Sequence, residues 1–191
     1  MNKEEMKAYI QQQLSQSRYE HTLRVTEEAI KLANTHDVSI EKAELAALWH
    51  DVAKEFPRER LKQMIETSDL PKDVLDYHHE LWHGPVASLI VSERFGIDDS
   101  EIISAVRYHT TGKAQMSSLD LVIFVADYIE PGRSFPGLDE VRRVAYENLQ
   151  LAAWLVSRNT INYLMSKKSR IYPDTWHAYN DLTKILFEEK A

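Results

Sequence analysis

The sequence predicts an all-α fold, and three observations favour this class. The 191 residues include only five glycines and six prolines, so few positions interrupt regular structure. Between these positions the apolar residues recur at the three- and four-residue spacing of helices. Strand-like alternation, internal repeats and low-complexity linkers are not evident in the sequence. We therefore expect a single helical domain over residues 1–191.

Helix boundaries in the first half follow from capping residues, prolines and glycines. Ser17 is expected to cap the second helix, with Glu20 completing a capping box. Pro57 is expected to stop the third helix, because the residue before a proline avoids the helical conformation. Pro85 fits an early position of the fifth helix, and Gly96 ends it. The helices predicted in this half cover residues 3–14, 17–35, 40–55, 58–67 and 83–95.

The second half is predicted to be helical as well. The segment Leu119–Ile129 is rich in valine and isoleucine and could pass for a buried strand, but its helical neighbours favour a helix. Asp174 follows Pro173 and is the expected N-cap of the last helix. The helices predicted here cover residues 98–109, 117–130, 138–168 (as one helix or two) and 174 to the end.

Composition and charge exclude several classes of function. No apolar run is long enough to span a membrane, and the first residues, MNKEEMKAYIQQQ, lack the apolar core of a secretion signal. The chain has no cysteine, which excludes disulfides and thiolate metal sites and favours a cytoplasmic protein. The formal net charge of −7 argues against a nucleic-acid partner. Any phosphate-binding site must therefore be made locally positive by metals and a few basic residues.

His50 and Asp51 lie side by side in the apolar segment AELAALWHDVAKEF. At helical spacing His50 shares a stripe with Ala43 and Ala47, and Asp51 lies about 100° further round the same turn. An ionised carboxylate among apolar neighbours is costly unless a partner neutralises it. A divalent metal would do so, and imidazole together with carboxylate suits iron, manganese or zinc.

Four further residues lie in similar settings. His21 and His109 fall on the inward stripes of their helices, Asp127 ends a long apolar run, and His83 stands at a helix start. Each residue alone is better explained as a hydrogen-bonded core residue or a helix cap. Together they favour helical stripes that converge on metal ions. The alternative is a helical interaction module whose core histidines are satisfied by the protein, and it predicts no bound metal.

The order His, His-Asp, His, His, Asp resembles the HD-domain phosphohydrolase superfamily. Between about residues 19 and 180, five segments resemble its bacterial YqeK-type branch, the symmetrical diadenosine tetraphosphate hydrolases. A Gly-Tyr-Pro segment, typical of HD-GYP cyclic-dinucleotide phosphodiesterases, is absent. The resemblance implies one HD-domain helical bundle. The matching segments are His50-Asp51-Val52-Ala53-Lys54, His83-Gly84-Pro85, Tyr108-His109-Thr110-Thr111-Gly112, Ala126-Asp127-Tyr128-Ile129-Glu130-Pro131-Gly132-Arg133 and Ile171-Tyr172-Pro173-Asp174-Thr175.

The resemblance also implies a set of metal ligands. It assigns one metal to four residues and extends the site to a second metal through His83 and His109, with Asp51 as the bridge. Iron is the metal that the family implies, whereas the residue types alone would also accept manganese. The four ligands of the first metal are His21, His50, Asp51 and Asp127.

Basic residues near these segments are expected to contact phosphates. By resemblance these are Lys54 and Arg133 and, less closely matched, Arg18 and Arg170, for which a solvated surface charge is the equal alternative. An acidic protein needs such local positive charge at an anion site. The remaining residues expected to face the substrate are His83, His109, Thr110 and Asp127.

The reaction implied by the resemblance is hydrolysis of diadenosine tetraphosphate to two ADP. Two metals about 3.5–4 Å apart can hold a hydroxide that attacks a central phosphorus. The expected catalytic residues are Asp51, Lys54, His83 and His109, with the histidines available to move a proton. The alternatives are an HD-family hydrolase acting on another nucleoside polyphosphate and a non-catalytic sensor of metal or nucleotide. Trp154, Leu155 and the last helix could form a homodimer face or simply the core.

Overall fold

A computed structural model describes residues 3–188, and within this range the chain forms ten α-helices and no strand. The predicted all-α class is therefore confirmed, including a helix over the valine- and isoleucine-rich segment. In chain order the helices are α1 Lys3–Gln13, α2 Gln16–Thr35, α3 Ile40–Trp49, α4 Arg58–Thr67, α5 His83–Leu89, α6 Ser100–Tyr108, α7 Ser118–Ile129, α8 Leu138–Ala145, α9 Leu149–Ser166 and α10 Pro173–Phe187.

Helix ends differ from the sequence prediction at several places. Ser15, not Ser17, caps α2, and its side chain accepts a hydrogen bond from the Arg18 backbone N–H. Residues 138–168, predicted as one helix or two, form two, α8 and α9, with Asn148 capping the second. Asp174 is not an N-cap, because Pro173 already begins α10 and Tyr172 holds the cap position. The predicted continuation of this last helix past residue 188 lies outside the described residues.

The core is a continuous apolar cluster to which nearly every helix contributes. Helix α2 packs against α3 and α7, α6 packs against α5 and α7, and α9 packs against α7, α8 and α10. Helix α7 is therefore central, which explains why its sequence is apolar on almost all sides. None of the helices in residues 3–188 is long and apolar enough to cross a membrane.

Close packing of α5 on α6 depends on a glycine. A Cβ on Gly84 would lie 2.7 Å from the carbonyl oxygen of Arg107, which is nearer than real Cβ atoms approach. Gly84 thereby allows the first turn of α5, which begins at His83, to lie against the backbone of α6. The position of His83 therefore depends on its neighbour, Gly84, having no side chain.

A π-helical turn, Ile90–Arg94, continues α5 and places Phe95 at the edge of the core. The Phe95 ring lies 4.4 Å from the ring centroid of Trp49 and 4.8 Å from that of Tyr9. Trp49 is the last residue of α3, directly before His50. This aromatic cluster therefore supports the end of the helix at which the predicted metal ligands begin.

The sequence left open whether Trp154 and Leu155 belong to a dimer face or to the core. In the structure both make contacts within the chain. The Trp154 indole N–H donates to Thr183 Oγ1 at 2.8 Å, and its ring stacks on Tyr179 with centroids 5.7 Å apart. Leu155 is buried. These contacts join α9 to α10 and favour the core interpretation for both side chains.

Candidate metal centre

His50 and Asp51 lie just beyond the end of α3, not inside a helix that continues to residue 55. His50 is the C-cap of α3, and the chain then turns tightly, with the Lys54 N–H donating to the Asp51 carbonyl at 2.8 Å. The predicted 40–55 helix is therefore too long. The apolar pattern hid the end, because Val52 and Ala53 in the turn are as deeply buried as the helix itself.

Three imidazoles are oriented by backbone carbonyls three residues earlier. Because a carbonyl can only accept, each Nδ1 is the donor. The distances are 2.6 Å from His50 to Ala47, 2.7 Å from His83 to Glu80 and 2.8 Å from His109 to Val106. His50 and His109 are helix C-caps, where the last carbonyls have no intrahelical donor. Each ring is thus held with the lone pair on Nε2.

His21 is oriented by a distant carboxylate. Its Nδ1 lies 3.1 Å from Oε1 of Glu130, a buried residue at the end of α7. Glu130 Oε2 accepts from Arg24 Nε at 2.7 Å and from the Gly132 backbone N–H at 2.6 Å. No role was predicted for Glu130 from the sequence. A buried acid directly after an apolar helix and before Pro131-Gly132 was the available signal.

The carboxylate of Asp51 stands between two pairs of histidines. Its Oδ2 lies 3.6 Å from His21 Nε2 and 3.4 Å from His50 Nε2. Its Oδ1 lies 3.1 Å from His83 Nε2 and 3.6 Å from His109 Nε2. The ligand atoms form two groups, each within 4.8 Å, that share this residue: His21, His50 and Asp51, and Asp51, His83 and His109.

Asp127 joins the first of these groups from α7. Its Oδ1 lies 3.1 Å from His21 Nε2 and 4.0 Å from His50 Nε2. The same oxygen accepts from Arg133 Nη2 at 2.6 Å. Although Asp127 ends a long apolar run, 18% of its side chain is exposed. The exposure arises because this side of α7 faces an open cavity rather than the core.

The side chains fit a divalent metal. Nε2 of His21 and of His50 is buried and makes no hydrogen bond of accepted geometry with any described residue. A buried polar atom without a partner is costly unless something binds it. All four histidines have Nδ1 engaged and Nε2 turned toward carboxylates, which is the arrangement of imidazole metal ligands. We infer a divalent metal site from this donor set.

Charge balance within the cluster keeps the carboxylates ionised. Burial alone would raise the pKa of Asp51, but the surrounding histidines, chiefly His50, outweigh burial when they carry a proton on Nε2 and hold that pKa well below its usual value. A metal bound to the same nitrogens would replace those protons. For Asp127 burial is likewise outweighed, chiefly by Arg133. Burial lowers the pKa of His83 to about 4, so its ring is neutral at neutral pH. Neutral imidazole and ionised carboxylate are the forms that bind metals.

A cavity of about 370 Å³ opens over the cluster, and three of the expected basic residues line it. Arg18 Nη1 lies 3.0 Å from Asp51 Oδ2, and Lys54 Nζ lies 2.7 Å from Glu80 Oε2. Arg133 bonds Asp127 as described. Thr110, also in the lining, places Oγ1 3.0 Å from His109 Nε2. The cavity therefore combines carboxylates and imidazoles at its floor with cations at its walls.

Arg170 is the one expected substrate-binding residue that the structure does not bring to this cavity. Its Nη1 donates to the Asp76 carbonyl at 2.6 Å, and its guanidinium lies 5.8 Å from the Tyr77 ring centroid. It joins the segment before α10 to the short 3-10 turn Asp73–Asp76. Arg170 is exposed, and this placement favours the surface-charge alternative.

Comparison with known proteins agrees with the geometry. The model of the HD domain family matches residues 18–132. "Bis(5'-nucleosyl)-tetraphosphatase, symmetrical" of Bacillus subtilis (strain 168) is 46% identical over 94% of this chain and 97% of its own length. The proteins of the same name from Staphylococcus aureus and Halalkalibacterium halodurans are 40% and 41% identical, over 94% and 100% of both chains respectively.

A solved structure is similar over almost its whole length. It is a predicted HD superfamily hydrolase involved in NAD metabolism from Clostridium acetobutylicum, 34% identical, with a TM-score of 0.92 over 97% of this chain and 98% of that one. The family match covers more than half of the residues, and it includes every histidine and aspartate of the cluster. The chain belongs to the HD domain family and, within it, to the group formed by the curated symmetrical bis(5'-nucleosyl)-tetraphosphatases.

Proposed function

We propose that this protein hydrolyses diadenosine tetraphosphate symmetrically: one water is added across the central P–O–P linkage and two ADP are released. The observation that carries this proposal is the pair of ligand groups sharing Asp51 beneath a cavity walled by cations. The names of three near full-length relatives support the same substrate. We further propose iron as the metal, with manganese able to use the same ligands, and the cytoplasm as the location.

In this proposal the ligands are those expected from the sequence. His21, His50, Asp51 and Asp127 would hold one metal, and Asp51, His83 and His109 the second. Two bound divalent metals would polarise the phosphate and activate a water for in-line attack. Asp51 presents one carboxylate oxygen to each of the two ligand groups, which supports its role as the shared ligand.

The protein's own cations would position the tetraphosphate. Lys54 and Arg133 lie at different parts of the cavity wall, beside Glu80 and Asp127, and Arg18 lies beside Asp51. Each is only partly exposed, so its charge is screened less than that of a surface residue. Binding a polyanion here would align the central linkage over the cluster, and alignment with charge neutralisation is the main requirement for phosphoryl transfer.

Proton transfer in the proposed reaction needs little from the protein. ADP leaves as an anion, so no strong general acid is required at the departing oxygen. Thr110 Oγ1, between His109 Nε2 at 3.0 Å and His83 Nε2 at 3.4 Å, offers a hydroxyl that can relay a proton at the cavity floor. His83 and His109, which were expected from the sequence to move a proton, could do so only without the second metal, because each Nδ1 donates to a carbonyl and each Nε2 would bind that metal.

The test is product analysis with metal-depleted protein reloaded with Fe²⁺ or Mn²⁺ and supplied with diadenosine tetraphosphate. Two ADP per substrate supports the proposal, and the metal giving the higher turnover identifies the preferred ion. ATP plus AMP would contradict the cleavage position. Full metal occupancy without turnover would favour another nucleoside polyphosphate or a sensor.

Lys54→Ala provides a matched variant for this test. We expect weaker turnover with metal content unchanged, because Lys54 bonds Glu80 and no histidine of the cluster. Loss of metal from this variant would give Lys54 a structural role instead.

A further inference from the structure

A second cavity continues from the first along α7 and α9. It measures about 600 Å³ and includes Phe135, Pro136 and Asn159 in its lining. Four residues line both cavities: Tyr128, Arg133, Thr160 and Tyr163. A molecule lying in the first cavity can therefore extend into the second without leaving the protein surface. We refer to this second space as the aromatic cavity.

The walls of this cavity expose aromatic rings to an unusual degree. Tyr163 is 61% exposed and Phe135 is 37% exposed. The Phe135 ring meets Tyr128 edge-on, with centroids 5.0 Å apart and planes at 80°. Large aromatic side chains that are left open beside a polar site are typical of ligand contacts. Because Tyr128 supports Phe135 from the side, the Phe135 ring is already held in place before anything binds.

We propose that the aromatic cavity binds the purine base of one nucleoside half of the substrate, through stacking on Tyr163 and Phe135. The inference rests on the proposed function, since it assumes a nucleotide whose phosphates lie over the histidine cluster. Arg133 stands where the two cavities meet and bonds Asp127 at 2.6 Å. Its charge would therefore lie between base and reacting phosphate, near the sugar and the first phosphate. The volume is within the usual range for small-molecule sites.

A third space, which shares Lys54, Glu80 and His83 with the first cavity, is chemically different. It measures about 280 Å³ and is lined mainly by charged and polar side chains. The phenyl ring in that lining, Phe56, is buried, and Arg60 already lies 3.6 Å from its centroid. This space therefore offers charges where the aromatic cavity offers open rings, which favours the aromatic cavity over it as the stacking site.

Binding measurements on metal-loaded protein test this proposal directly. ADP and inorganic pyrophosphate serve as probes in calorimetry, with wild type, Tyr163→Ala and Phe135→Ala. We expect each variant to weaken ADP binding by about 5- to 150-fold, the factor associated with losing one stacked base. Pyrophosphate binding should stay within about twofold of wild type, because the variants leave every cation of the cavity in place.

Two controls keep the result specific. Tyr163→Phe retains the ring and should bind ADP like wild type. Trp176→Ala removes a partly exposed ring on α10, outside both cavity linings, and should change neither probe. Equal weakening of ADP and pyrophosphate, or unchanged ADP binding in both alanine variants, would overturn the proposal. So would wild-type protein that binds pyrophosphate but not ADP.

The outcome is separable from that of the proposed function. If wild type binds ADP through the aromatic cavity but does not cleave diadenosine tetraphosphate, the base site stands and the assigned reaction fails. If wild type cleaves that substrate and the alanine variants keep wild-type KM and ADP affinity, the reaction stands and the base site fails.

Discussion

The four histidines of the cluster are held in two different ways. His50, His83 and His109 each use a carbonyl three residues earlier in the chain. His21 uses Glu130, which is 109 positions away and is itself held by Arg24. Orientation by a nearby carbonyl depends only on the local path of the backbone. Orientation by Glu130 depends on the correct docking of α7 against α2 and on the charge of one side chain.

This difference shows which part of the site is more sensitive to substitution. No side-chain replacement can delete the carbonyl of Ala47, Glu80 or Val106. Replacing Glu130 removes the partner of His21 directly and leaves Arg24 without its buried counter-charge. The first ligand group is therefore expected to be the more sensitive to changes outside the ligands, and four substitutions test this expectation.

The largest effect is expected from Asp51→Asn, which affects both groups. It removes the only charge that faces all four Nε2 atoms within the described cluster, while keeping the shape of the side chain. We expect near-complete loss of turnover and of both metals, measured by elemental analysis of the purified protein. Metal content close to wild type would contradict the shared-ligand assignment of Asp51.

Glu130→Gln is expected to affect the first group alone. Removing the carboxylate that orients a histidine ligand typically costs about 10- to 100-fold in metal affinity or activity. A metal titration should show one weakened and one unchanged binding step. Glu28→Gln is the matched control, since Glu28 is also a buried glutamate of this region but bonds Tyr146 and Lys31 instead of a histidine. Equal effects of the two variants would mean that Glu130 acts through general stability.

Gly84→Ala tests the second ligand group by displacing the backbone that carries His83. The added Cβ would meet the Arg107 carbonyl at 2.7 Å and push the start of α5 away from α6. Such overpacking costs about 1–3 kcal/mol of unfolding free energy. We expect a lower urea midpoint and weaker binding in the step that Glu130→Gln leaves unchanged. An unchanged midpoint would mean that α5 moves without strain.

The smallest effect is expected from Thr110→Val. The hydroxyl lies 3.0 Å from His109 Nε2, but His109 is already oriented by the Val106 carbonyl. Losing one hydrogen bond should lower turnover by less than about tenfold and leave metal content unchanged. A larger loss in kcat with intact metal would assign the hydroxyl a direct part in proton transfer.

The fold was largely predictable because its signals are local. Few breaks, helical spacing and the prolines and glycines between helices identified nearly every helix, including α7, whose valines and isoleucines suggested a strand. The errors lie at helix ends. Ser15 rather than Ser17 caps α2, and Ser15 is also bonded to Glu55, a residue 40 positions away that local spacing does not reveal. The end of α3 was hidden because buried residues continue through the turn after Trp49.

The proposed metal ligands were predictable from the sequence, whereas the residues that orient them and line the cavities were not. His21, His50, Asp51, His83, His109 and Asp127 stand out because polar residues in apolar stripes need partners. Tyr128 and Tyr163 gave no such signal, and the signal of Glu130, a buried acid after an apolar helix, did not identify its partner. Glu130 acts on a residue 109 positions away, and Tyr163 lies on an exposed face where aromatic residues have no periodic meaning. Arg170 was left open between a phosphate contact and a surface charge, and the sequence could not decide because the fold sets the distance of its segment from the cavity.

The π-helical turn Ile90–Arg94 has a consequence for insertions and deletions in this chain. A π turn accommodates one residue more than an α-helical turn. Deleting one residue there would let the segment continue as α-helix with Phe95 in nearly the same orientation, because the π turn accommodates that extra residue. Imposing α geometry without a deletion would instead rotate Phe95 by about 100° and move its ring away from Trp49, from which it is now 4.4 Å away. Relatives with a one-residue gap at this point are therefore expected to keep an aromatic residue at the position of Phe95.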